Sequence, residues 1–152
     1  MLTTVAVNSF AVADASMKPL NISIAQVSRS GAIDVELINV SESPVRVFKE
    51  SNSWGADRWR VLVIRRGNLT VYSQRLNQVF TRNIPASEEL APGARLRKAL
   101  DLNTKAWRKA DDPKVTFDSG DIIIAIYDVP FTPEAHKFGV WNGTIAGLKT
   151  VE

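Results

Sequence analysis

Cysteine is absent from this sequence of 152 residues, and histidine occurs once, at His136. The lack of cysteine excludes disulfides, thiolate metal sites, iron–sulfur clusters and cysteine nucleophiles together. A single histidine is too few for a metal site built on several imidazoles from one chain. The sequence therefore predicts neither a cofactor nor a metal centre.

Long hydrophobic runs are also absent. No segment approaches the ~18 consecutive apolar residues of a transmembrane helix, which excludes that class of protein. Apolar residues make up 45% of the chain and charged residues 23%, which is typical of folded proteins and argues against disorder. Length and composition together predict a soluble globular chain with one main domain.

The charge balance is mildly basic, with 19 Lys and Arg against 16 Asp and Glu and a formal charge of +3. Small basic clusters are formed by Arg58, Arg60, Arg65, Arg66, Arg95, Arg97 and Lys98. A nucleic-acid-binding domain is expected to carry a broader basic stripe or a recognisable module, and neither is present in the sequence. We therefore expect no nucleic-acid partner.

The N-terminal segment differs in character from the rest of the chain. Leu2–Val12 is weakly apolar, and Ala13-Asp14-Ala15 before Ser16 resembles a signal-peptide cleavage site, although no basic residue precedes it. We predict that residues 1–19 form an arm or an extra strand and that residues 20–152 form the domain. The cellular compartment stays open.

Most of the chain shows the period-two pattern of half-buried strands. Apolar and polar residues alternate clearly in Leu20–Ile24 and in Ile33–Leu37. Trp59–Ile64 is almost continuously apolar and predicts a central strand covered on both sides, and Ile122–Ile126 predicts the most buried strand of all. Further strands are predicted at Val45–Phe48, Leu69–Tyr72, Val79–Arg82, around Leu96 and Leu100, and at Thr144–Val151.

Turn residues separate these segments. Gly67-Asn68 predicts a tight hairpin turn, and Leu90-Ala91-Pro92-Gly93 suits a type II turn. Thr132 followed by Pro133 predicts the N-cap of a single helical turn. About seven to nine short strands at a regular spacing predict an all-β fold, an antiparallel sandwich of immunoglobulin-like type.

Five sequence blocks strengthen this prediction. They are Asn52-Ser53-Trp54-Gly55, Thr81-Arg82-Asn83-Ile84-Pro85, Leu90-Ala91-Pro92-Gly93, Thr132-Pro133-Glu134-Ala135 and Gly139-Val140-Trp141-Asn142-Gly143. In this order they resemble the blocks of an uncharacterised group of bacterial immunoglobulin-like β-sandwich proteins. The resemblance implies the fold over about residues 20–150 and implies no particular activity.

One loop is a candidate binding surface. Trp54 beside Gly55 can present a large rigid ring to a partner, and arginines lie nearby in the sequence. The candidate residues for protein interaction are Asn52, Trp54, Arg58, Arg60, Arg82 and Trp141. The alternative is structural: Trp54 closes one end of the sandwich while Asn52 binds turn amides.

The sequence shows neither the pattern of a serine hydrolase nor that of an EF-hand calcium site. A serine–histidine–acid arrangement would have to use His136, and no G-x-S-x-G motif is present in the sequence. The aspartates at 111, 112, 118, 121 and 128 do not follow the spacing of an EF-hand loop. We therefore predict that the protein is not an enzyme.

Three functions remain, and they belong to different classes. The first is a non-enzymatic protein-interaction or accessory module that binds a partner through the Trp54 loop. The second is a structural subunit of a larger assembly, such as a virion, sheath or appendage, joined through the N-terminal arm as an added strand. The third is a carbohydrate-binding domain or an enzyme, which requires a concave site with convergent polar groups.

Overall fold

The computed structural model describes residues 18–74 and 85–152. In these two ranges the chain forms nine strands and one short helix. They are β1 (Leu20–Val27), β2 (Ala32–Asn39), β3 (Val45–Phe48), β4 (Trp59–Arg65), β5 (Asn68–Ser73), β6 (Ser87–Leu90), β7 (Arg95–Asp101), β8 (Ile122–Val129), α1 (Pro133–Lys137) and β9 (Gly143–Thr150). The described residues contain no helix with the length and hydrophobicity needed to cross a bilayer.

The strands form two main sheets and a short pair. One sheet has the order β1-β2-β7, the other has the order β5-β4-β8-β9, and β3 pairs with β6. Every strand pairing in these sheets is antiparallel. The prediction of an all-β antiparallel sandwich is confirmed, and its immunoglobulin-like type stays a prediction.

The core lies between the two main sheets. Successive side chains of a strand point to opposite faces, so every second residue is buried. Ile33, Val35 and Leu37 of β2 and Ile123 and Ala125 of β8 are buried in one hydrophobic cluster. Burial of each large aliphatic side chain contributes about 1.5–3 kcal/mol, which makes this cluster the main source of stability.

Two predicted local motifs are present. The Thr132 hydroxyl accepts a hydrogen bond from the backbone N–H of Ala135, so Thr132 is the N-cap of α1. Gly93 has φ +73° and follows Pro92, and the N–H of Ala94 donates to the carbonyl of Ala91. This is the geometry of a type II turn, which needs positive φ at its third position.

The hairpin turn lies one residue earlier than predicted. Arg66 and Gly67 both have positive φ, 48° and 80°, between the paired residues Arg65 and Asn68. Two successive residues with positive φ form a type I′ turn, whose twist matches that of the flanking strands. Asn68 is therefore the first residue of β5.

The prediction that the strand at Trp59–Ile64 is covered on both sides was wrong. β4 is central, because it lies between β5 and β8. Its inward residues are buried, but Leu62 and Ile64 on the other side are only half-buried and Arg60 is exposed. The sandwich therefore covers one face of β4 and not both.

Two predictions concern segments outside the described ranges. The proposed strand Val79–Arg82 and the arm up to residue 17 fall outside the described residues. Conversely, β6 is a strand that the sequence pattern does not predict, because its last residue, Leu90, belongs to the predicted turn that follows.

Candidate functional site

The outward side of the four-stranded sheet is apolar. We call it the outer apolar face, and it consists of Leu62, Ile64, Leu69, Val71, Ile122, Ile124, Ile126, Ala146 and Leu148. These residues share one side because directly paired residues of antiparallel strands project to the same face.

The register aligns them in rows across the sheet. The central row runs Val71, Leu62, Ile124 and Leu148, with one residue from each of the four strands. A second row contains Leu69, Ile64 and Ile122, and a third contains Ile126 and Ala146. The apolar side chains are therefore contiguous.

The face is exposed and of substantial size. Leu148, Leu69 and Val71 are 64%, 59% and 55% exposed, and the β8 isoleucines are half-buried. Four strands and three rows span about 19 Å by about 20 Å, or about 400 Å², and nine of these twelve positions are apolar. Strand β1 of the other sheet packs against β8 and β9, and it does so on the inward side, where Gly147 meets Ile22. Patches of this size on a monomer are often functional.

The charges at one end of the face neutralise each other. Arg60 lies 3.5 Å from Asp128, from Nη2 to Oδ2. Asp128 also accepts a hydrogen bond of 2.5 Å from the hydroxyl of Thr144. A partner that covers the face therefore meets no unpaired charge from this cluster.

The Trp54 loop is organised by a buried side chain. Asn52 is 3% exposed, and its Oδ1 accepts hydrogen bonds from the N–H groups of Trp54 and Gly55 at 3.0 and 3.1 Å. Its Nδ2 donates to the carbonyl of Ala86 at 3.1 Å. A Cβ atom on Gly55 would lie 2.1 Å from the carbonyl oxygen of Lys49, so the loop is packed tightly against its own backbone.

The structure divides the predicted binding residues among several places. Arg58 donates from Nε to the carbonyl of the half-buried Trp54 at 2.6 Å, within the same loop as Asn52. Trp141 stacks on Tyr127 with ring centroids 6.1 Å apart, and Arg60 borders the outer apolar face. Arg82 lies outside the described residues. That these residues bind a partner remains a prediction.

The basic cluster on β7 is largely neutralised. Arg95 and Arg97 donate to the carboxylate of Glu36 at 2.6 and 3.0 Å, and Glu36 is 7% exposed. The hydrogen bond from Arg95, with the charges of both arginines, lowers the pKa of Glu36 in spite of its burial. This arrangement is a structural ion-pair network on the outward side of the three-stranded sheet.

Catalytic candidates do not come together. Within residues 18–74 and 85–152, no three His, Cys, Asp or Glu side chains are grouped as metal ligands. His136 lies on α1, exposed, with its ring 6.2 Å from that of Phe131.

The sequence did contain a signal for the outer apolar face. Trp59–Ile64 and Ile122–Ile126 are apolar at successive positions, where a half-exposed strand would alternate. Such a pattern predicts burial on both sides within the domain. The same pattern is equally compatible with a strand whose second side is covered by another molecule.

Comparison with protein-family models gives no match, and comparison with curated proteins gives none either. Among solved structures, the chain is similar to one described as "Archaellum periplasmic stator protein complex FlaF and FlaG from Sulfolobus acidocaldarius". The alignment covers 95% of this chain and 100% of that chain, with 14% identity and a TM-score of 0.43. At this TM-score the likeness carries no argument about function.

Proposed function

We propose that this chain is a non-enzymatic protein-interaction domain that acts as a subunit of a larger assembly. Its docking surface is the outer apolar face, and the occupant of that surface is a second copy of the chain. One observation carries this proposal. Three half-buried isoleucines of β8, Ile122, Ile124 and Ile126, lie at the centre of the exposed sheet face.

Burial of the apolar side chains of this surface drives association, and the loss of translational and rotational freedom opposes it. The area is about half of the roughly 800 Å² that each partner buries in a standard stable interface. We therefore expect reversible self-association of modest affinity.

The charge pattern favours a second copy as the occupant. Arg60 and Asp128 neutralise each other at one end of the face, so the partner has to supply apolar surface and no complementary charge. A second copy supplies an identical apolar face. Two copies related by a two-fold axis would bring each row of side chains against its counterpart, as in an isologous dimer.

Sedimentation velocity on the full chain, from micromolar to millimolar concentration, tests the proposal. The wild type should shift from 16.8 kDa towards twice that mass as concentration rises. The double variant Val71→Lys, Leu148→Lys should stay monomeric, because it places two charges on exposed positions of the face. The control Val40→Lys, Phe131→Lys adds the same charge at exposed apolar positions elsewhere and should associate like the wild type.

Other results would point to different functions. A wild type that stays monomeric at millimolar concentration excludes the second copy as occupant. If the Val5→Lys, Val7→Lys variant is monomeric and the face variant associates, the contact runs through the N-terminal arm. Circular dichroism on each variant establishes that the fold is retained.

A further inference from the structure

A small pocket opens between the two sheets, on the side where β7 is the edge strand. Its volume is about 210 Å³, below the roughly 300–1,000 Å³ of pockets for drug-sized ligands. It is lined by Leu37, Phe48, Glu50, Trp59, Glu88, Leu96, Arg97, Lys98 and Tyr127. A site of this size suits a small molecule or one side chain of a partner.

The cations of the pocket are already paired. Lys98 forms an ion pair with Glu50, and Arg97 donates to Glu36 at 3.0 Å. Glu50 also accepts a hydrogen bond from the indole N–H of Trp59 at 3.1 Å. An anionic ligand would therefore have to displace existing partners.

Two polar groups of the pocket have no hydrogen-bond or ion-pair partner in the described part of the chain. Glu88 is half-buried, and among the described residues its carboxylate has no hydrogen bond or ion pair. Tyr127 is 4% exposed, and its hydroxyl likewise has no partner in the described part of the chain. A ligand that binds these two groups therefore displaces no partner of theirs within the described part of the chain.

Both groups line the same pocket. Burial raises the pKa of Tyr127, the charges of Glu50 and Glu88 raise it further, and the charge of Arg58 lowers it. The phenol therefore stays protonated at neutral pH, and its oxygen can accept a hydrogen bond from a cationic donor.

We propose that this pocket binds a primary ammonium group on an aliphatic stem. Glu88 supplies the counter-charge and the Tyr127 hydroxyl accepts one ammonium hydrogen. The rings of Trp59 and Tyr127, with centroids 4.9 Å apart, pack on each other at the pocket, and Leu37, Phe48 and Leu96 line it with apolar surface for the stem. A metal ion is disfavoured, because Glu88 is the one unpaired carboxylate among the described lining residues.

Titration of the full chain with n-butylamine, followed by NMR at the Trp59 indole N–H, tests this site. We expect a saturable shift, and binding at least tenfold weaker for n-butanol, which has the same stem without the charge. Glu88→Gln should weaken butylamine binding about tenfold, and Tyr127→Phe should weaken it severalfold. The matched control is Glu89→Gln, because Glu89 is the next residue on β6 and instead lies 3.5 Å from Arg46.

A second probe separates the two sources of such an ammonium group. If Nα-acetyl-lysine N-methylamide binds with the same dependence on Glu88, the pocket takes a lysine side chain of a protein. If only butylamine binds, the ligand is a free amine. The proposal is overturned if no saturable shift occurs at Trp59, or if Glu88→Gln and Glu89→Gln bind butylamine equally. Self-association through the outer apolar face can fail without affecting this result.

Discussion

The guanidinium of Arg65 donates hydrogen bonds to both carboxylate oxygens of Asp121, at 3.0 Å from Nε to Oδ1 and at 2.6 Å from Nη2 to Oδ2. Arg65 ends β4, and Asp121 immediately precedes β8. Asp121 is 2% exposed and also accepts a hydrogen bond from the N–H of Asp118. The pair ties together the two central strands that carry the outer apolar face.

Asp121→Asn should destabilise the fold by roughly 1–3 kcal/mol, because a buried charged hydrogen bond is lost and Arg65 keeps its charge. Urea unfolding monitored by tryptophan fluorescence measures the change. The control is Asp118→Asn, which removes a 66% exposed carboxylate 3.3 Å from the same arginine. Because exposed ion pairs contribute little, equal losses in the two variants would contradict this account.

Stability should also decrease in acid. Arginine partners lower the pKa of Glu36 below its usual 4.5 and that of Asp121 below its usual 3.8. A carboxyl with a lowered folded-state pKa stabilises the protein above its unfolded pKa, and this contribution is lost as pH falls through the folded value. Urea midpoints measured from about pH 7 to about pH 3 should therefore fall below roughly pH 4.5.

The matched variant for this experiment is Glu36→Gln. It should lower stability at neutral pH and flatten the decline in acid, because one of the titrating groups is gone. A decline as steep as in the wild type would assign the acid sensitivity to other carboxyls.

Gly147 should be intolerant of a side chain. A Cβ atom at this position would lie 2.6 Å from the carbonyl oxygen of Ile22 and 2.8 Å from its Cγ2, where β9 packs against β1. Gly147→Ala should therefore cost about 1–3 kcal/mol through overpacking. Thermal unfolding measures this cost, and Ala146→Ser on the exposed side of the same strand should be nearly neutral.

Asn52→Ala should destabilise the protein by about 1–3 kcal/mol, because the N–H groups of Trp54 and Gly55 lose their acceptor. Urea unfolding checks the loss, and Ser51→Ala, at an exposed neighbour, should change stability by about 0.5 kcal/mol or less. If Asn52→Ala is as stable as the wild type, the loop does not depend on this side chain, and a role in partner binding becomes the better account.

Much of the local structure follows from the sequence alone. Alternation in Leu20–Ile24 and Ile33–Leu37 specifies strands because a half-buried strand has two unlike faces, and β1 and β2 cover both segments. Pro92-Gly93 and Thr132-Pro133 specify a turn and a helix start through backbone preferences that act within a few residues. These local preferences act without contacts to the rest of the fold.

The sites depend on contacts between distant parts of the chain. Glu36 meets Arg95 across 59 residues of sequence, and the pocket joins Glu88 of β6 to Tyr127 of β8. The sequence of β8 likewise does not show whether Ile124 faces a second layer or the outside, because an apolar residue is compatible with both positions. The pattern of residue types along the chain therefore predicts most of the strands and their apolar sides. Which apolar side the sandwich covers is set by the packing of the two sheets, because coverage depends on contacts between distant strands.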